Sequence, residues 1–434
     1  MNHDDCIEYN ALWRFPEHNT PTIYNLFQDC VGTLRCYKNK PSILEIHHKP
    51  SIGTISNMCC NYNTIWGKDA NGYVFTLFNA TMISQTDFSK TVFSIGYCLV
   101  GKNVKSIDTP IFDGCIVHFP YLRNWAFNPL RNIASGKCSL VTELNTTNVP
   151  PILEWDIEDN ITLQLHRDFF VNNTRYETII KEDTLLLIKS REQLPISRYL
   201  KLIYIFKQFL SIALFGEQQP CRIEFKVASE TNVMATKLLY RVNESYEPYI
   251  IPLLDFNKIS YKIPDMLRKW YSNYEQMSPI IKYFVQAITE LKNEFDTPDF
   301  LIIAQALDGY HKRFVNKKDG KDIRKYKEQI DKLLEHFKGV LLLKKCNLNT
   351  EVLTHSRHKY SHLIPDEENK NVEKAVEGEE LYYLTKKCIV LLTCCILDNL
   401  GLTIEEINLC FKDSAIERMV NDIPFWYLDK EKRE

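Results

Sequence analysis

The feature that most constrains the fold is a change of hydrophobic period part-way along the chain. Up to about residue 195, short runs of β-branched and aromatic residues alternate with turn residues, a pattern typical of antiparallel strands. In "NTIWGKDANGYVFTLFNATMI", two such runs flank Asn71-Gly72, a dipeptide that accepts the positive φ of a tight hairpin. From about residue 260, apolar residues recur at helical spacing. The sequence therefore predicts an α+β protein, with a β-rich sandwich or barrel-like domain followed by an all-α bundle.

We place the domain boundary between residues 1–257 and 258–434. A strongly apolar stretch at about 197–215 predicts one helix within the first domain, ended by Gly216 and Pro220. Strand-like segments lie on both sides of this stretch, so the helix is expected to cover the sheet.

Four main helices are predicted in the second domain. Ser278-Pro279 and Thr297-Pro298 each have the cap-then-proline pattern of a helix start. The segment "IRKYKEQIDKLLEHFKGVLLL" predicts a third helix, and a fourth ends at Gly401.

Composition excludes several classes of protein. The formal net charge of the 434-residue chain is −2, so any site for a polyanion must be local. The 14 cysteines include no C-x-x-C pair, which indicates reduced thiols rather than a zinc or redox framework. The N-terminal "MNHDDCIEYNALW" is unlike a signal peptide, and the longest apolar runs are too short or too polar to span a bilayer. We therefore expect a cytoplasmic protein with no membrane partner and no cofactor.

The segment "HSRHKYSH" (355–362) holds three of the chain's 11 histidines and has three competing interpretations. If the segment is helical, His355, His358 and His362 share one face and could bind a metal ion. No H-E-x-x-H pattern is present, however, and Arg357 and Lys359 would lie beside the cation. A second interpretation is a phosphate-handling acid/base site, and a third is a solvated basic loop.

The phosphate interpretation depends on Arg357 and His362. Arginine offers a fixed fork of donors that matches phosphate oxygens, and histidine takes or gives a proton near neutral pH. Such a pair can cleave RNA without a metal, by activating the ribose 2′-hydroxyl, protonating the departing 5′-oxygen and stabilising the charge on phosphorus. Residues five apart on a helix point ~140° from each other. Either the segment begins in a turn, or two copies of the chain pool their residues.

The preceding stretch 311–345 holds twelve Lys/Arg against five Asp/Glu. Such a surplus attracts RNA, but it is also common on the solvated face of an amphipathic helix.

Several segments of the chain resemble those of a known family. "RHKYSH" resembles the marker of the HEPN superfamily, with His358 in its polar slot, and "FLIIAQALDGYHKRF" is similar to the helix before the marker in ApeA-like HEPN proteins. The segments "WGKDANGYVFTLFNA", "YLRNWAF" and "FLSIALFGEQQPCRI" resemble the β-rich N-terminal domain of bacterial anti-phage ApeA proteins. The resemblance covers most of the chain.

The resemblance implies a metal-independent endoribonuclease that acts in abortive infection. It implies a homodimer or higher even oligomer with a composite site, and a β domain that restrains the nuclease or senses a trigger, such as a phage-derived molecule. Arg357 would bind the scissile phosphate, His362 would act as general acid/base, and His358 would assist. His355 and Lys359 lie outside the family pattern and would at most contact RNA.

Two alternatives remain open at this stage. One is a catalytically silent HEPN module that binds RNA or a protein partner, and the other is a histidine-based metalloenzyme. Asp308, in "QALDGYH", is either a carboxylate close to the site or a capping or surface residue.

Overall fold

The computed structural model describes residues 6–16, 30–37, 40–47, 60–86, 90–126, 150–175, 178–227, 236–239, 251–290, 297–316, 323–363, 374–424 and 427. Two compact units are distinguished. The β unit comprises Met1–Asn124, Pro129–Tyr204 and Gln219–Tyr246, and the helical unit comprises Trp125–Asn128, Ile205–Gln218 and Glu247–Glu434.

The described strands of the β unit form one antiparallel, 12-stranded sheet in the order β3-β2-β1-β4-β5-β6-β12-β11-β7-β10-β9-β8. The strands are β1 (Cys6–Arg14), β2 (Cys30–Tyr37), β3 (Ser42–His47), β4 (Asn61–Asp69), β5 (Val74–Thr86), β6 (Lys90–Val100), β7 (Phe112–His118), β8 (Leu153–Glu158), β9 (Ile161–Asn173), β10 (Thr178–Leu194), β11 (Arg222–Lys226) and β12 (Thr236–Leu239). Because β3 also pairs with β6, strands β1 to β6 close into a barrel. This confirms the predicted β-rich first half, in its barrel form.

The Asn71-Gly72 dipeptide forms the predicted hairpin between β4 and β5. Gly72 has a φ of 89°, and the backbone N–H of Tyr73 donates to Asp69 Oδ1 at 2.8 Å. The strong turn signal therefore set the register of these two strands.

The barrel interior is filled around the fully buried Trp13. Its indole N–H donates to the carbonyl of Gly32 at 3.1 Å, which satisfies the buried donor. A Cβ atom at Gly67 would lie 2.4 Å from Trp13 Cζ3, so only glycine leaves room for the ring. Phe75 and Phe93 complete this part of the core.

The helices are α1 (Leu122–Trp125), α2 (Ile196–Ala213), α3 (Phe256–Ile259), α4 (Ile263–Glu290), α5 (Thr297–Tyr310), α6 (Tyr326–His336), α7 (Leu341–Cys346), α8 (Thr350–His362), α9 (Gly378–Asn399), α10 (Ile404–Phe411) and α11 (Ala415–Asn421). A π-helical segment, His311–Val315, directly follows α5. Helix α2 lies where the sequence predicts a helix, and the division between the two units falls within it. None of the helices in the described ranges has the length and apolar character needed to cross a membrane.

Helix α4 corrects one predicted helix start. The sequence places a cap and first turn at the Ser-Pro dipeptide ending in Pro279, but α4 begins at Ile263 and contains this proline. The buried side chains of Trp270, Tyr274 and Met277 extend the apolar stripe toward the N-terminus. An internal proline costs ~3 kcal/mol, whereas each large buried side chain contributes roughly 1.5–3 kcal/mol, so the longer helix is favoured.

The predicted third helix is two helices, α6 and α7. The chain turns between them at Gly339, where an added Cβ atom would lie 2.8 Å from Ile404 Cγ2. The side chain of Asn408 stabilises the turn, because it donates to the carbonyl of Gly339 at 3.1 Å and accepts from the N–H of Leu341 at 2.8 Å. A side chain about 70 residues away in sequence therefore fixes the break.

Candidate functional site

The histidine-rich segment lies within one regular helix, α8. Asn349 caps its N-terminus, since its side-chain oxygen accepts from the N–H groups of Glu351 and Val352 at 2.9 and 3.2 Å. The helix ends at Leu363, which has a left-handed φ of 50°. The segment therefore neither begins in a turn nor forms a loop.

The three histidines lie on the outward side of α8. At ~100° per residue, His355, His358 and His362 fall within a ~60° sector of the helix, away from the fully buried Leu353 and Ser356. The rings of His358 and His362, four residues apart, are 4.8 Å apart between centroids, and both side chains are exposed. They are therefore within reach of a ligand in solution.

Arg357 is held at the edge of the buried face. One Nη2–H group donates to Asp308 Oδ2 at 3.5 Å, and the guanidinium carbon lies 4.4 Å from the centre of the Tyr326 ring. The arginine side chain is 32% exposed, so part of it remains open to solvent. Helices α5 and α6 thus supply an ion-pair partner and a cation–π partner for one arginine on α8.

These two partners are themselves fixed. Asp308 lies in the last turn of α5, just before the π-helical segment, and Lys312 Nζ contacts its Oδ2 at 2.9 Å. The hydroxyl of Tyr326 donates to the carbonyl of Ala304 at 3.2 Å, which ties α6 to α5. Burial raises the pKa of this phenol, so it stays a neutral donor. The surroundings of Arg357 are therefore built from anchored groups.

The segment 374–377 packs against the side of α8 that carries Ser356, Lys359 and Tyr360. The N–H of Val376 donates to Ser356 Oγ and its carbonyl accepts from the hydroxyl of Tyr360, each at 3.1 Å. Lys359 is mostly buried and forms an ion pair with Glu377. Its ammonium group therefore has a carboxylate partner within the protein.

The pKa of His355 is shifted by its surroundings. Burial lowers its pKa from the ordinary value of 6.5, and the positive charge of Lys374 lowers it further, while Glu351 opposes the shift. The ring is therefore biased toward the neutral form.

The face of α8 that carries the three histidines does not form a set of metal ligands in the described structure. Among the residues that the structure describes, no three His, Cys, Asp or Glu side chains come close enough together to hold a metal ion.

Part of the positive charge of residues 311–345 is paired. Four ion pairs join its lysines to carboxylates at 2.5–3.1 Å: Lys312–Asp308, Lys325–Glu328, Lys327–Glu351 and Lys338–Glu335. This matches the solvated-face interpretation for these lysines.

The sequence indicated Arg357 and the histidines, and it left Asp308 between two interpretations. The structure places Asp308 against Arg357, so it is a carboxylate close to the candidate site. Tyr326 was missed altogether, because an aromatic residue on an amphipathic helix is usually a core residue and nothing in its spacing points to Arg357.

Comparison with protein families finds a match for each half of the chain. A model of the ApeA N-terminal domain 1 matches residues 8–270, more than half of the chain, and a model of the Apea-like HEPN domain matches residues 301–406. The chain belongs to the ApeA family. Helix α8 and both partners of Arg357 lie inside the HEPN match of this ApeA-family chain. No curated protein and no solved structure matches it. Family membership supports a nuclease-type defence protein.

Proposed function

We propose that this ApeA-family protein is an endoribonuclease that cleaves RNA by attack of the ribose 2′-hydroxyl, without a metal ion, during anti-phage defence. The observation that carries the proposal is that α8, within the HEPN match, holds an anchored, partly exposed Arg357 and an exposed His362. A trigger of phage origin would release the activity.

The chemistry requires few groups because the nucleophile belongs to the substrate. A histidine removes the proton from the 2′-hydroxyl, O2′ attacks phosphorus, and the 5′-oxygen leaves with a proton from a second acid. The products are a 2′,3′-cyclic phosphate and a 5′-hydroxyl. Arg357 directs one N–H group at Asp308, and the rest of its five-donor fork suits a phosphate that gains charge in the transition state.

The arrangement of α8 favours a site shared between two copies. Arg357 turns toward Asp308 and Tyr326, whereas His362 lies on the outward face of a regular helix. His362 of one copy would serve as acid/base opposite Arg357 of the other, and the neighbouring His358 would orient it. His355 and Lys359 would contribute at most RNA contacts.

The test is cleavage of total cellular RNA by the purified protein in EDTA. We compare wild type with Arg357→Ala and His362→Ala, using His336→Ala as the control because it removes an exposed histidine from α6. Loss of one such catalytic group should lower the rate roughly 10²-fold or more, while the control retains activity.

The outcomes separate the alternatives. Cyclic phosphate ends that depend on Arg357 and His362 support the proposal. Cleavage that appears only after divalent metal is restored favours a metalloenzyme, and the absence of cleavage by any variant favours an RNA- or partner-binding module.

A further inference from the structure

We propose that Asp308 is a positioning residue that, with the face of Tyr326, sets the plane and direction of the Arg357 guanidinium for the scissile phosphate. This inference rests on the proposed function and extends it to a residue that does not touch RNA.

The two contacts restrain the guanidinium in different ways. The Tyr326 ring, 4.4 Å from the guanidinium carbon, supports it through cation–π attraction. The Asp308 carboxylate, 3.5 Å from Nη2, holds one edge. An arginine on an exposed helix has about 2 kcal/mol of rotamer entropy to lose, so an orientation fixed in advance lowers the cost of binding a phosphate.

Asp308 is suited to this task because it is itself fixed. Its side chain is only 15% exposed, and Lys312 holds the same oxygen, Oδ2, at 2.9 Å. Burial strengthens the electrostatic contact between the carboxylate and Arg357 compared with a pair fully in water. The distance of 3.5 Å to Arg357 is longer than that of a strong charge-assisted hydrogen bond, so Asp308 can direct the arginine while a phosphate recruits its other donors.

The opposite role for the same contact is one in which Asp308 competes with the phosphate and restrains the enzyme. The two roles predict opposite effects on activity when the charge of Asp308 is removed. Loss of the charge lowers kcat if Asp308 positions Arg357, and raises kcat/KM if Asp308 competes with RNA.

The experiment measures kcat and KM for RNA cleavage by the full-length Asp308→Asn protein, which keeps the side-chain shape and loses the charge. We expect kcat to fall about tenfold with KM nearly unchanged, a smaller effect than the roughly 10²-fold loss on removing a charge-stabilising donor. The matched control is Asp265→Asn, which breaks a surface ion pair with Arg268 on α4 and should leave kcat unchanged.

Repeating the Asp308→Asn substitution in the Arg357→Lys protein distinguishes a loss of positioning from general damage to the fold. Arg357→Lys keeps the charge but loses the planar fork, so Asp308→Asn should have little further effect in that background. An additive loss, an unchanged kcat or an increased kcat/KM would each overturn the inference.

A readout independent of cleavage distinguishes failure of this inference from failure of the proposed function. The rate at which phenylglyoxal modifies Arg357, followed by peptide mass spectrometry, should rise several-fold in Asp308→Asn, because the guanidinium is no longer held. If this rate does not change, Asp308 does not position Arg357, whether or not the wild-type protein cleaves RNA.

Discussion

The shared-site proposal makes a stoichiometric prediction for dimers that carry two different inactivating substitutions. One subunit carries Arg357→Ala and keeps His362, and the other carries His362→Ala and keeps Arg357. Each homodimer lacks one of the two groups everywhere, so both homodimers should be inactive.

The expected activity of the mixed dimer follows from the geometry of α8. Arg357 and His362 lie five residues apart on one uninterrupted helix, which directs them ~140° from each other. If Arg357 of one subunit acts with His362 of the other, the mixed dimer retains one of the two arrangements. Its activity should therefore be about half that of wild type.

The assay requires a pure mixed dimer. The two variants are co-expressed with different affinity tags, the dimer is purified over both columns, and initial rates of RNA cleavage are measured in EDTA. A wild-type dimer with the same two tags provides the reference rate, and size-exclusion chromatography checks that the oligomeric states agree.

An inactive mixed dimer would refute the reasoning. If Arg357 and His362 act within the same subunit, each subunit of this dimer has lost one of them and no intact site remains. A rate equal to that of the doubly tagged wild type would also contradict the model, because one arrangement would then suffice for full activity.

Three further substitutions test the stability and titration of the helical unit. Gly339→Ala should lower the free energy of unfolding by ~1–3 kcal/mol in urea denaturation, because the new Cβ lies 2.8 Å from a branched side chain. Gly309 lies within α5, and an added Cβ atom there would have its nearest neighbour, Ile280 Cγ1, at 3.9 Å. Gly309→Ala should therefore raise the free energy of unfolding by roughly 0.5–1 kcal/mol. Lys374→Met should raise the pKa of His355, measured by NMR, because it removes a repulsive charge. An unchanged pKa of His355 in Lys374→Met would contradict the role given to Lys374. Because the pKa of His355 in the folded protein lies below 6.5, the unfolded chain binds more protons than the folded one just below that pH. The contribution of His355 to stability is therefore complete above pH 6.5 and declines on acidification.

Local signals predicted the features whose physical cause is local. The Asn71-Gly72 hairpin depends on Gly72, which has a φ of 89°, and the end of α9 depends on Gly401, which has a φ of 90°. The change from strand to helix periodicity likewise separates the two halves, because each period reports which residues face a core.

Features with a distant cause were not predictable in this way. The break between α6 and α7 depends on Ile404 and Asn408, which a single-helix pattern cannot anticipate. The surroundings of Arg357 depend on Asp308 and Tyr326, which are 49 and 31 residues away. The motif therefore gave the candidate side chains of α8 but not the full set of groups that contact Arg357.

The pairing of charges around α8 bears on how such a site would select RNA. Lys312 is paired with Asp308 and Lys359 with Glu377, so these two lysines add little attraction for a polyanion. Arg357 shares its carboxylate with Lys312 at a longer distance and keeps most of its fork for a ligand. Binding in this region would then depend on a few aligned donors rather than on a broad basic surface. The salt dependence of RNA binding would accordingly be shallow, because few phosphates are neutralised per site.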